Sequence, residues 1–158
     1  MTPRQVALVR DSWRQVLPIK DRAGELFYQR LIELDPSLQP LFRVDMTDQG
    51  RKLMAVLGTV VSHLDRLGEL LPTVQELGRR HAAYGVKDEH YDTGGTALLS
   101  TLRAGLGDAL SLEAEDAWAL AYATLTGVMK AAAGEVIAPG SGAPLRRPTN
   151  PDGAAAHP

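Results

Sequence analysis

Apolar residues recur every three or four positions through the first 138 residues, and nowhere do they alternate convincingly as a strand would require. Thr2-Pro3-Arg4-Gln5 reads as a capping box with proline at the first helical position. Val6, Val9, Trp13 and Val16 then keep one face apolar up to Pro18. A second helix is predicted from about Arg22 to Leu34, with Phe27, Leu31 and Leu34 inward. Asp35-Pro36 opens a short turn that ends near Phe42. Thr47 or Asp48 caps the next helix, whose inward row is Leu53, Leu57, Val60, Leu64 and Leu67. Pro72 opens another, with Val74 and Leu77 inward, ending at Tyr84-Gly85. Asp88 caps a longer helix through Leu98, Leu99, Leu102 and Leu106, closed by Gly105 and Gly107. Ser111 caps the last, which runs through Trp118, Leu125 and Val128. Six or seven helices with short connections predict an all-α domain over residues 1–138.

Beyond Ala138 the pattern stops. Residues 139–158 read PGSGAPLRRPTNPDGAAAHP, with five of the ten prolines and one large aliphatic residue, Leu145, so this segment is predicted to be a disordered tail. Over all 158 residues, 44% apolar and 23% charged side chains make a globular composition. A net charge of −2 argues against a nucleic-acid partner, which calls for a basic patch or stripe. The apolar runs are too short to span a bilayer, so no stable membrane association is expected. Cysteine is absent, which removes thiolate-ligated or covalently attached haem, iron–sulfur clusters, Cys-ligated zinc and disulfides. The start, MTPRQVALVRDSW, carries charges where a secretory signal needs an apolar stretch, and a cytoplasmic location is the expectation.

Of the four histidines, His157 lies in the tail, His90 is expected to be solvent-exposed at a helix start, and His63 sits near a helix edge. His81 differs. It continues the inward row of Val74 and Leu77 at spacings of three and four, as a core histidine or as a ligand to a metal or haem. Gln49 is a second polar intrusion, four residues before Leu53 on a buried stripe. It needs a partner there, unless it bends to water or caps a backbone group in the first turn. Tyr28 adjoins Phe27 on an inward face, where a tyrosine packs with its hydroxyl at the rim. Gly94-Gly95 lies inside a helix and builds no phosphate nest.

Together these features resemble the globin family over about residues 4–137. The segments that carry the resemblance are SW at 12–13, LFYQRLIELDPSLQPLF at 26–42, RKLMAVLGTVV at 51–61, LGRRHAAYGVKDEHY at 77–91 and DAW at 116–118. Within the family the chain is similar to bacterial single-domain haemoglobins and the globin module of flavohaemoglobins, and more distantly to neuroglobin. The resemblance implies helices A, B, C, E, F, G and H, with D short or absent, enclosing haem b. It makes His81 the proximal iron ligand, Phe42 the phenylalanine on the haem face, and Tyr28 and Gln49 the distal polar pair. Leu53 becomes the apolar residue over the iron, Val86 and Leu98 haem-wall positions, and Lys52 a residue within reach of a propionate. Tyr91 matches a tyrosine that, with a glutamate, stands behind the proximal histidine; the glutamate position is Ala133 here.

The resemblance implies reversible binding of O2, CO or NO at ferrous iron, as an oxygen carrier, store or scavenger. The alternative is a nitric oxide dioxygenase that detoxifies NO using bound O2. Flavohaemoglobins continue into FAD and NAD modules, whereas this chain is read as carrying no reductase, so turnover would need an external one. A monomer or weak homodimer is expected.

Overall fold

The computed structural model describes residues 1–41 and 46–137. Phe42 and residues 138–158, which include the expected tail 139–158, lie outside the described residues. Six α-helices follow one another: α1 (Pro3–Val16), α2 (Lys20–Leu34), α3 (Met46–Ser62), α4 (Leu71–Ala83), α5 (Asp88–Leu106) and α6 (Leu112–Ile137). Short 3-10 turns join them at Leu17–Ile19, Pro36–Leu41, Leu64–Leu70 and Gly107–Ala109. No helix among the described residues is long and apolar enough to cross a membrane.

The capping box predicted at the start forms: the Gln5 N–H donates to Thr2 Oγ1 at 3.1 Å and the Thr2 N–H to Gln5 Oε1 at 2.8 Å. Ser111 caps α6 as expected, its Oγ accepting from the Ala114 N–H at 3.0 Å. Val9 and Trp13 on α1 meet Trp118 on α6, the two indole rings 6.2 Å apart. A buried polar link crosses the same interface, because Trp118 Nε1 donates to Ser12 Oγ at 2.7 Å. Ser12 in turn donates to the Leu8 carbonyl at 2.8 Å, so burial leaves neither group unpaired. Removing Trp118 would cost about 3–5 kcal/mol by cavity formation.

Three local expectations are corrected. The row from Leu53 to Leu67 is not one helix. α3 ends at Ser62, where Ser62 Oγ and His63 Nδ1 both bond the Thr59 carbonyl at 2.9 Å. Leu64 and Leu67 then belong to a 3-10 segment kinked at Arg66, φ −151°. Leu34, expected inward, is 41% exposed at the last position of α2. His90 is not solvent-exposed by default: it is half-buried, and its Nδ1 accepts the Lys87 N–H at 2.9 Å. His90 thus satisfies a donor at the head of α5 that Asp88 was expected to cap, and its Nε2 lies 4.0 Å from Asp35.

Helix pairing decides where a site can form. α2 packs on α3 and on α5, and α4 packs along α6. The α2–α3 contact is made at glycines: a Cβ on Gly24 would stand 2.8 Å from the Gly50 Cα. Only a pair of glycines lets the two backbones approach this closely.

Candidate functional site

The chemistry-bearing residues fall into two groups, one on α2 and α3 and the other on α4 and α5. In the first, the Gly24–Gly50 crossing fixes the rest. Tyr28 stands one turn after Gly24, and Gln49 adjoins Gly50, so both positions lie within about one turn of the crossing. Thr47 adds a bond across it, donating from Oγ1 to Glu25 Oε2 at 3.3 Å. Tyr28 is 8% exposed, its ring edge-on to Phe27 at 5.0 Å. Burial pushes its phenol up to about 12, so the side chain keeps its proton and remains a donor at neutral pH. Gln49 is half-buried, as is Leu53 one turn later, which packs against the apolar core.

The second group centres on His81, near the end of α4. Its Nδ1 lies 2.8 Å from the Leu77 carbonyl, which only accepts, so Nδ1 carries the proton and Nε2 keeps its lone pair. Burial lowers the imidazole pKa below its ordinary value; the bond to Leu77 opposes this, and the Arg80 charge adds to it. The ring is therefore neutral at neutral pH. Tyr91 stacks on it from α5, centroids 6.2 Å apart and planes 20° apart. Val86 is tied to the same corner, its N–H donating to the His81 carbonyl at 2.9 Å. Gly85, at φ +98°, supplies the left-handed turn that this corner needs.

One residue of this group was not singled out from sequence. Tyr122 on α6 donates its hydroxyl to the Tyr91 carbonyl at 2.6 Å, fixing the backbone behind the stacked ring. Gly94 and Gly95 make room for it: a Cβ on Gly95 would meet Tyr122 Cε2 at 2.9 Å. The Tyr91 hydroxyl is itself buried and has no hydrogen-bond partner among the described residues. Burial, with a smaller contribution from Asp88, raises its pKa to about 12. Ala133 is buried on α6, so no carboxylate is supplied from that position.

The remaining sequence candidates separate. Leu98 is fully in the core. It lines two small apolar cavities, of about 10 and 20 Å³, together with Leu57 and Trp118. Neither cavity is lined by Tyr28, Gln49 or His81. Lys52 is exposed and pairs with Asp48 one turn earlier at 3.3 Å.

Among the described residues no group of three His, Cys, Asp or Glu side chains is gathered to hold a bare metal ion. One neutral imidazole with a committed Nδ1 and a lone pair on Nε2 instead suits an iron whose other ligands come from a macrocycle. The residues present fit haem.

The globin family model matches residues 25–129. The chain belongs to the globin family. Globins bind haem, which agrees with the donor set just described. Neuroglobin from Danio rerio is 31% identical over 143 residues, covering 82% of this chain and 90% of that protein. A flavohemoprotein from Bordetella parapertussis is 32% identical over 136 residues, again covering 82% of this globin. This globin spans 33% of that flavohemoprotein's length. A bacterial globin structure from Campylobacter jejuni superposes with a TM-score of 0.75 at 20% identity, covering 85% of this chain and 98% of that one. A hexacoordinated heme protein from an anhydrobiotic tardigrade superposes at 0.76 with 18% identity, covering 84% and 95%.

Proposed function

We propose that this globin reversibly binds a diatomic gas, O2 foremost, on haem b held by His81. The observation that carries the reading is the His81 imidazole: neutral, with its Nδ1 proton committed to the Leu77 carbonyl and its Nε2 left to ligate. Haem, when bound, would supply a ferrous iron able to take O2, CO or NO. Tyr28 would serve as the hydrogen-bond donor to the gas, and its raised pKa keeps the donor proton in place. Gln49 serves as a second donor or orients the phenol. In this reading Leu53 and Val86 would help to wall the pocket against water, which strengthens each polar contact within it. Lys52 lies on the rim, where exchanging Asp48 for a propionate costs little, because exposed ion pairs are weak. A cytoplasmic location belongs to the same reading.

The second reading, nitric oxide dioxygenation, draws on the likeness to flavohemoproteins. Its net reaction joins NO, O2 and one electron into nitrate, the electron coming from an external reductase. Reversible binding is favoured by the Tyr91 hydroxyl beside His81, a hydroxyl with no hydrogen-bond partner among the described residues. The imidazole proton goes to a backbone carbonyl and not to a carboxylate, which would make the ligand more basic. The test is stopped-flow mixing of the oxygenated protein with NO, followed by NADH-supported turnover with a supplied reductase. Reversible binding predicts a ferrous protein without a sixth protein ligand and no sustained NO consumption. Sustained reductase-dependent turnover would replace this reading with the enzymatic one.

A further inference from the structure

Gly78 stands on α4, three residues before His81, and is buried. A Cβ at this position would lie 2.5 Å from the Met129 carbonyl oxygen, 2.7 Å from its Cα and 2.9 Å from its carbonyl carbon. All three are backbone atoms of α6, so no side-chain rotation relieves the overlap. The helices would have to separate to bring the nearest contact even to 3.0 Å. Among the described residues α4 and α6 share the most extensive helix–helix contact.

The same turn of α4 carries the ligand geometry. Leu77, adjacent to Gly78, supplies the carbonyl that holds His81 Nδ1 at 2.8 Å. Gly78, Leu77 and His81 therefore move together with the helix backbone. The ring facing His81 belongs to another frame: Tyr91 sits on α5, whose backbone is fixed to α6 by the Tyr122 hydroxyl at 2.6 Å. Lifting α4 off α6 slides His81 past Tyr91 and changes the height and tilt at which Nε2 is presented.

We infer that Gly78 is a positioning residue for His81, seating α4 backbone against backbone on α6 so that the imidazole is delivered in one fixed place. The inference rests on the reading of His81 as the iron ligand. Gly127 on α6 is the matched control, because a Cβ there meets nothing within 4 Å.

The experiment compares Gly78→Ala and Gly127→Ala in the haem-loaded protein and again in a His81→Gly background supplied with free imidazole. Three quantities are read: the rate of haem transfer to an acceptor apoprotein, the ferrous iron–histidine stretching band, and the helix content of the apoprotein. Gly78→Ala should speed haem loss by about 10- to 100-fold and shift the stretching band, with helix content retained. Gly127→Ala should change neither. With free imidazole as ligand, Gly78→Ala should have no effect, since the ligand is no longer tethered to α4. An equal effect in both backgrounds, no effect in either, or collapse of the helix content would overturn the proposal. Should His81→Gly keep its spectrum without imidazole, the ligand reading itself fails, and that outcome is distinct from a silent Gly78→Ala.

Discussion

At the crossing of α2 and α3, a Cβ on Gly24 would stand 2.8 Å from the Gly50 Cα; at the crossing of α4 and α6, one on Gly78 would stand 2.5 Å from the Met129 oxygen. Both sides of the site use a glycine to bring backbones together, but they hold their polar groups differently. On the α4 side, His81 is bonded to Leu77, stacked on Tyr91 and backed by the Tyr122 bond to the Tyr91 carbonyl. On the α2–α3 side, Tyr28 is buried edge-on to Phe27 and Gln49 is half-buried near the start of α3. In the proposed reading the first arrangement holds the haem and the second faces the gas.

The comparison breaks most visibly at His81. His81→Ala should abolish haem retention while leaving most of the helix content, because the apolar faces of α4 and its neighbours remain. The Soret band and far-ultraviolet circular dichroism of the purified variant measure both. A ferrous spectrum unchanged without added imidazole would remove the α4 side from the account.

A smaller effect is expected at the other crossing. Gly24→Ala forces a Cβ onto the Gly50 backbone and should destabilise the apoprotein by about 1–3 kcal/mol, read by denaturant unfolding. A cost below about 0.5 kcal/mol would mean that the backbones part easily and that the crossing does not fix Tyr28. The smallest effect belongs to Tyr91→Phe. Because the hydroxyl is buried with no partner among the described residues, its removal should leave apoprotein stability unchanged or raise it by up to about 1 kcal/mol. A loss of more than about 1 kcal/mol would show that the hydroxyl is hydrogen-bonded after all.

The order of the helices and the place of His81 were legible because both are written in local spacing. Val74, Leu77 and His81 mark one face without reference to the rest of the chain. The break after Ser62 was not, since Leu64 and Leu67 continue the apolar spacing while side-chain bonds from Ser62 and His63 to Thr59 end the helix. His90 looked exposed because its acceptor role depends on the turn that precedes it. Gly94-Gly95 was rightly excluded as a phosphate loop, but its use, room for the Tyr122 ring, depends on a residue on another helix. Gly78 gave no local signal for the same reason: its partner, Met129, is distant in sequence and contributes backbone, which no residue pattern encodes. The distal pair, Tyr28 and Gln49, acquired a shared role only from the family resemblance.

The claim that Tyr28 is the donor to a bound gas is tested most directly by Tyr28→Phe, which removes one oxygen and keeps the ring. A phenol bonded to a partly negative oxygen in a dry pocket is worth roughly 1.5–3 kcal/mol, so O2 dissociation should speed up about 10- to 100-fold. CO dissociation, from a far less polar ligand, should change little, and Gln49→Ala should reproduce the O2 effect only weakly. With the phenol raised to about 12, the wild-type O2 off-rate should stay flat between about pH 6 and 10 and rise only as Tyr28 loses its proton above that range. If the O2 and CO off-rates of Tyr28→Phe shift by the same small factor, Tyr28 only packs against Phe27 and the distal-donor account is contradicted.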